Sequence, residues 1–147
     1  MSLEELLARE EIRNLLAKYS TCGDRGEFPG LASVFAEDGV MESALVKAVG
    51  PDEIASKLGD LVARSREEVG SRAMTFSRHN LTTSLIEFDS ESTATGRTYF
   101  LVMSNIGIDH SGVYVDRYAK IGGEWKIKQR RIRIDYCAPD GHAPASR

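Results

Sequence analysis

The hydrophobic period of this chain changes once, and that change dictates what it can fold into. Up to about residue 70 the apolar residues recur at helical spacing; beyond it they alternate as in strands. A chain that spends its helices first and its strands afterwards cannot interleave them into βαβ units, so the class is α+β. Residues 3–22 carry Leu3, Leu6, Leu7, Ile12, Leu15, Leu16 and Tyr19 on one helical stripe, with Glu4, Glu5, Arg9, Glu10, Arg13 and Lys18 between them. Ser2 followed by Glu5 is a capping signal, and Gly23 is expected to end the helix. Residues 29–35 form a short second helix with Leu31, Val34 and Phe35, and Glu37, Asp38 and Gly39 a turn. Short strands are expected at 40–42 and 46–49. Gly50-Pro51 then opens a helix that runs to about Val69 on Ile54, Leu58, Leu61 and Val62.

After Gly70 the runs 73–88, 93–104, 112–121 and 124–136 read as strands rich in Thr, Tyr, Phe, Leu and Val. Gly122-Gly123 joins the last two as a hairpin. Residues 105–111 read as a loop and 139–147 as a loose tail, so the domain spans 1–138. The expected architecture is a cone-shaped α+β barrel, about three helices packed on a strongly curved antiparallel sheet. Wrapping the sheet around the long first helix leaves a pocket between them.

At 147 residues the chain has length for one domain with a real core. Its net charge of -3 is spread, apart from a basic run at Lys126, Lys128, Arg130, Arg131 and Arg133, so no nucleic-acid partner is expected. Cys22 and Cys137 are too few for a disulfide framework or a structural zinc site. The start is charged from Glu4 onward and no apolar run is long enough to cross a membrane, which points to a cytoplasmic protein. His79, His110 and His142 show no metal-ligand spacing, and no glycine-rich phosphate loop appears. Neither a metal nor another cofactor is expected.

Asp24, at the end of the first helix, and His79, in the first long strand, are the residues this architecture lets meet. A carboxylate that fixes an imidazole's tautomer makes a general base. Taken alone, Asp24 is a turn residue and His79 a satisfied core histidine. Thr75, Ser77, His79 and Leu81 share one strand face, however, and a mixed polar and apolar face suits a pocket. Tyr114, Asp116 and Tyr118 share another face. On the residues alone it packs under a helix, with Asp116 paired to Arg97 or Arg131. Tyr19 can point the same way as Asp24, and Tyr99 is equally open. Trp125 and Ile127 face inward by parity, and only a bulge would bring Arg130 in with them. His110 reads as exposed, His142 as part of the tail and Cys22 as packing.

The segments 11–19, Asp24-Arg25-Gly26, 31–40, His79 and the run from Tyr118 through Trp125 to Ile127 resemble the SnoaL-like branch of the nuclear transport factor 2-like superfamily. The resemblance covers about residues 3–136. It implies the cone fold, self-association as a homodimer or homotrimer, and a pocket for a small-molecule substrate. Within the branch the chain resembles the scytalone dehydratases and the hexachlorocyclohexane dehydrochlorinases, which remove a proton next to a leaving group with an Asp–His pair. That resemblance assigns Asp24 and His79 to the pair, places Arg130 near the leaving group, makes the face of Tyr114, Asp116 and Tyr118 an alternative lining of the pocket, and lets Tyr114 donate to a substrate oxygen. Tyr19 stands where the dehydrochlorinases carry a pocket lysine, and Gly23 where the dehydratases carry a tyrosine. The dehydratases' second histidine has no counterpart at Leu101, Val102 and Met103. The implied function is a lyase or isomerase, dehydratase-like, on a small, mostly apolar cyclic or polyketide-like substrate. The alternatives are a non-catalytic binding or partner subunit, or an epoxide hydrolase with Asp116 or Glu42 as its second carboxylate.

Overall fold

The computed structural model describes residues 1–69 and 74–143. The expected helix stop at Gly70, the strand start at Ala73 and the tail residues 144–147 lie outside the described residues. Helices α1 (Leu3–Asp24) and α2 (Phe28–Ala32) lead into strands β1 (Phe35–Glu42) and β2 (Lys47–Val49). Helix α3 (Pro51–Val69) follows, and then β3 (Ser77–Phe88), β4 (Thr93–Ser104), β5 (Gly107–Ile121) and β6 (Glu124–Cys137). The sheet order is β2-β1-β6-β5-β4-β3. All neighbours are antiparallel except β1 and β6, which run parallel. The expected α+β cone of three helices on a curved sheet forms; the sheet is mixed rather than wholly antiparallel, and it is open rather than a closed barrel because β2 and β3 form separate edges.

Ser2 caps α1, its hydroxyl accepting from the Glu5 N–H at 3.1 Å. The helix does not stop at Gly23 but runs to Asp24, because the left-handed turn is made by Gly26 at φ 69. This extension puts Asp24 on the last helical position, at the mouth between helix and sheet. Helix α2 ends earlier than expected, since Phe35 already belongs to β1. Glu37, Asp38 and Gly39 are not a turn between elements. They bulge within β1, where pairing jumps from Phe35–Ile127 to Val40–Gln129. The expected loop at 105–111 shrinks to a turn at Asn105 and Ile106, because β5 starts at Gly107 and His110 pairs with both Val102 and Cys137. The Gly122-Gly123 hairpin forms as expected, with φ of 58 and 82 matching a two-residue turn with both residues left-handed.

The concave face of the sheet closes over Ile12, Leu16 and Tyr19 of α1, with Met41, Ile54, Phe100, Val102, Tyr114, Tyr118, Trp125 and Ile127 in the same core. Besides the bulge in β1, extra residues in three other strands set which residues face it. One lies in β3 between Leu81 and Ser84, one in β5 at Asp109, and two in β6, at Lys128 and Asp135. The one at Lys128 is the bulge that Arg130 requires. Gly112 leaves no room for a side chain: a Cβ there would clash with the Arg133 carbonyl oxygen and lie 3.0 Å from the Phe100 ring. Gly112→Ala is therefore expected to cost about 2–3 kcal/mol, read by thermal denaturation. Among the described residues, no helix is long and apolar enough to cross a membrane.

Candidate active site

Asp24 and His79 meet. The His79 Nδ1 lies 2.6 Å from Asp24 Oδ1. The same carboxylate accepts the backbone N–H of His79 at 3.0 Å and the Ser77 hydroxyl at 3.2 Å. Strand and helix are thus joined by three donors on one carboxylate. Burial pushes the Asp24 carboxyl up, but the His79 ring, its backbone N–H and Ser77 outweigh that and hold it below the ordinary range. An ionised Asp24 accepting at Nδ1 favours the Nδ1–H tautomer of His79, which leaves the lone pair on Nε2. The ring keeps 25% of its side-chain surface open, against 10% for Asp24. The imidazole is reachable while the carboxylate beside it is shielded.

Deeper in the cone lies a layer of charge and aromatic rings. Arg130 is fully buried and pairs bidentately with Asp116, at 2.9 Å from Nε and 2.8 Å from Nη2. Its guanidinium sits between two rings, 4.1 Å from the centroid of Tyr19 and 4.0 Å from that of Tyr114. The Tyr118 hydroxyl donates to Asp116 at 2.7 Å. Burial would lower the Arg130 pKa, but Asp116 and the tyrosines raise it, so the group stays charged. Burial raises both Tyr19 and Tyr114, which keeps them as O–H donors. The Arg130 Nη1 has no hydrogen-bond partner among the described residues. Tyr114 stacks on Phe100 with centroids 4.4 Å apart, and Phe100 lies 6.2 Å from the His79 ring. One continuous aromatic wall thus joins the imidazole to the guanidinium.

A second cluster flanks His79. His110 is neither in a loop nor exposed. The bulge at Asp109 turns both residues inward, and 8% of His110 and 0% of Asp109 remain open. Asp109 accepts from His110 Nδ1 at 2.7 Å, from Ser104 at 2.6 Å, and from the ring and backbone N–H of His142 at 2.5 and 2.9 Å. The expected tail is therefore anchored through His142. Burial pushes Asp109 up, yet these donors together hold it far below the ordinary carboxylate range. Burial pulls His110 down against the pull of Asp109. These three shifts share one sign. A group whose folded pKa is depressed contributes stability at high pH and loses it as pH falls. Stability is therefore expected to decline first below about pH 6.5 through His110, and again below about pH 4 through Asp24 and Asp109. Urea midpoints measured across that range check this.

A model of the SnoaL-like domain matches residues 4–131. The chain belongs to the SnoaL-like family. Among solved structures it is similar to a candidate scytalone dehydratase from Novosphingobium aromaticivorans DSM 12444, at 25% identity over 99% of this chain and 95% of that one, with a TM-score of 0.78. It is also similar to a protein of unknown function from Mycobacterium tuberculosis, at 29% identity over 96% and 79%, TM-score 0.75. The hexachlorocyclohexane dehydrochlorinase LinA-type3 from Novosphingobium barchaimii LL02 shares 23% over 93% and 92%, TM-score 0.78.

Of the residues singled out in the sequence of this SnoaL-like chain, Asp24, His79, Tyr19, Tyr114, Asp116 and Arg130 are brought into one connected cluster, with Phe100 bridging its two halves. Tyr99 does not join them. It is 47% exposed on the outer face, because Thr98 and Phe100 take the inward positions of β4. Thr75 precedes β3 and is exposed, so it leaves the His79 face. Asp116 pairs with Arg130 rather than with Arg97 or Arg131. Both Asp116 oxygens are thereby held, which leaves it no freedom to activate a water in an epoxide hydrolase. Sequence reading missed Ser77 as a ligand of Asp24, Phe100 as the wall, and the Asp109–His110–His142 cluster. The adjacent Asp109 and His110 were the available signal, masked by the turn residues around Gly107. Among the described residues, no group of three or more His, Cys, Asp or Glu is arranged to hold a metal ion.

Proposed function

We propose that this chain is a lyase or isomerase in which His79, held by Asp24, removes a proton from a carbon beside a carbonyl or a leaving group. The observation that carries this reading is the 2.6 Å contact between His79 Nδ1 and a carboxylate fixed independently by the strand's own N–H. The C–H electron pair moves into a new double bond. In a lyase the leaving group departs with its own pair; in an isomerase the pair enters the carbonyl, and the proton returns elsewhere from His79. Tyr19 or Tyr114 donates to the oxygen that gains charge, and the remaining N–H of Arg130 assists the departing or acidic group. The wall of Phe100 and Tyr114 suits a small, mostly apolar cyclic or polyketide-like substrate. A homodimer or homotrimer is part of this reading, as is a chemistry carried by side chains alone.

The test requires no knowledge of the leaving group. Exchange of the α-protons of 2-tetralone in deuterated buffer, followed by NMR, reports the base directly. Loss of chloride from hexachlorocyclohexane and dehydration of cyclic β-hydroxyketones are assayed alongside. The wild-type chain is expected to accelerate at least one of these reactions, and His79→Gln to abolish the acceleration. An equal rate in the two proteins would remove His79 as the base and leave a binding subunit as the better reading.

A further inference from the structure

His110 is a second carboxylate-held imidazole beside His79, and proton abstraction by His79 makes no use of it. The two rings meet edge to face, with centroids 6.5 Å apart, and both pack on Phe100. Each ring spends Nδ1 on its own aspartate, so each directs Nε2 away from that aspartate. The Asp109 proton acceptor is fully buried and saturated by four donors, which locks His110 in the Nδ1–H tautomer. No hydrogen bond to a described residue engages His110 Nε2, and it is not one of the fully buried unpartnered polar atoms, so it keeps access to a ligand.

We propose that His110 Nε2 accepts the O–H of a hydroxyl group on the substrate, so that the site selects ring compounds bearing a hydroxyl near the carbon that loses its proton. The inference deepens the function proposed above and rests on the same pocket. Side-by-side acceptors on one wall match a C–H and an O–H on nearby atoms of one small ring. Burial keeps His110 neutral, and a neutral Nδ1–H imidazole offers a lone pair rather than a proton at Nε2. Asp109 and His142 are positioning residues here: they hold the ring without touching the substrate.

Phenol and anisole are the probes, since they share a ring and an oxygen but only phenol has the O–H. They are titrated into the full chain labelled with ¹⁵N-histidine. Phenol is expected to bind about fivefold or more tightly than anisole and to move the His110 Nε2 resonance. His110→Phe is expected to erase the preference. His142→Ala is expected to mix the His110 tautomers in the ¹⁵N spectrum, and His142→Asn, which restores a side-chain N–H, to return the Nδ1–H form. Equal affinity for the two probes, or no binding of either, overturns the proposal. So does a phenol response confined to His79 Nε2, which leaves the base reading standing. Loss of 2-tetralone exchange activity in His79→Gln is scored separately. Should His110→Phe fail to fold, the wild-type titration still decides.

Discussion

Asp116→Ala is expected to lower folding stability by about 3–5 kcal/mol. Arg130 is fully buried, and its charge is answered by Asp116 through two hydrogen bonds. Truncating the carboxylate leaves a guanidinium with no counter-ion between two tyrosine rings, in a place water reaches poorly. Tyr118 loses its acceptor at the same time. Small domains hold roughly 5–15 kcal/mol in all, so this loss takes a large part of the total. Urea denaturation followed by circular dichroism measures it. Replacing the pair together, as Asp116→Leu with Arg130→Met, is expected to recover most of the loss, because neither charge then needs to be buried. A loss below about 1 kcal/mol in the single variant would mean that the pair is solvated, contrary to its geometry.

The second large effect concerns the proposed base. Asp24→Asn and His79→Gln are each expected to reduce 2-tetralone exchange by about 10²–10⁴-fold while the fold survives. Asparagine nearly matches aspartate in shape, so the helix end and the strand stay together. It nevertheless lacks the charge that fixes the His79 proton on Nδ1. The ring is then free to place its proton on Nε2, where the lone pair is needed. The doubly substituted chain is expected to lose no more than the worse single variant, since the two residues act as a unit. Ser77→Ala removes only the third donor on the carboxylate and is expected to cost less than about tenfold. Additive losses in the double variant would separate the two residues and count against the pairing.

Much of the fold was legible because period and turn chemistry speak locally. The change of hydrophobic period gave the α+β order, Ser2 and Glu5 marked the first cap, and Gly122-Gly123 marked the hairpin. The parallel pairing of β1 with β6 was not legible, since a short strand next to a helix carries no record of which distant strand receives it. The site divides the same way. Asp24 and His79 were reachable from a helix end and a strand face. Arg130 could be placed only on condition of a bulge, and the bulge at Lys128 fulfils it. Tyr99 was misplaced in the pocket, although its neighbours Thr98 and Phe100 hold the inward positions. His110 was missed because the extra residue at Asp109 breaks the alternation on which strand reading depends.

Those bulges give the sheet something like a reading frame. The extra residue at Lys128 lets Ile127 and Arg130, three positions apart, face the same side, and the extra residue at Asp109 lets Asp109 and His110 turn inward together. Elsewhere the strands alternate regularly, and there the frame is strict. Deleting Arg131 from β6 would turn Ile132 outward and Arg133 inward, and deleting Val115 from β5 would turn Asp116 away from the face of Tyr114. One residue lost outside a bulge therefore acts on the core as a frameshift acts on codons: composition hardly changes, yet the side chains beyond it answer to the wrong side. In the regular runs of β5 and β6, length is constrained more tightly than identity at most exposed positions.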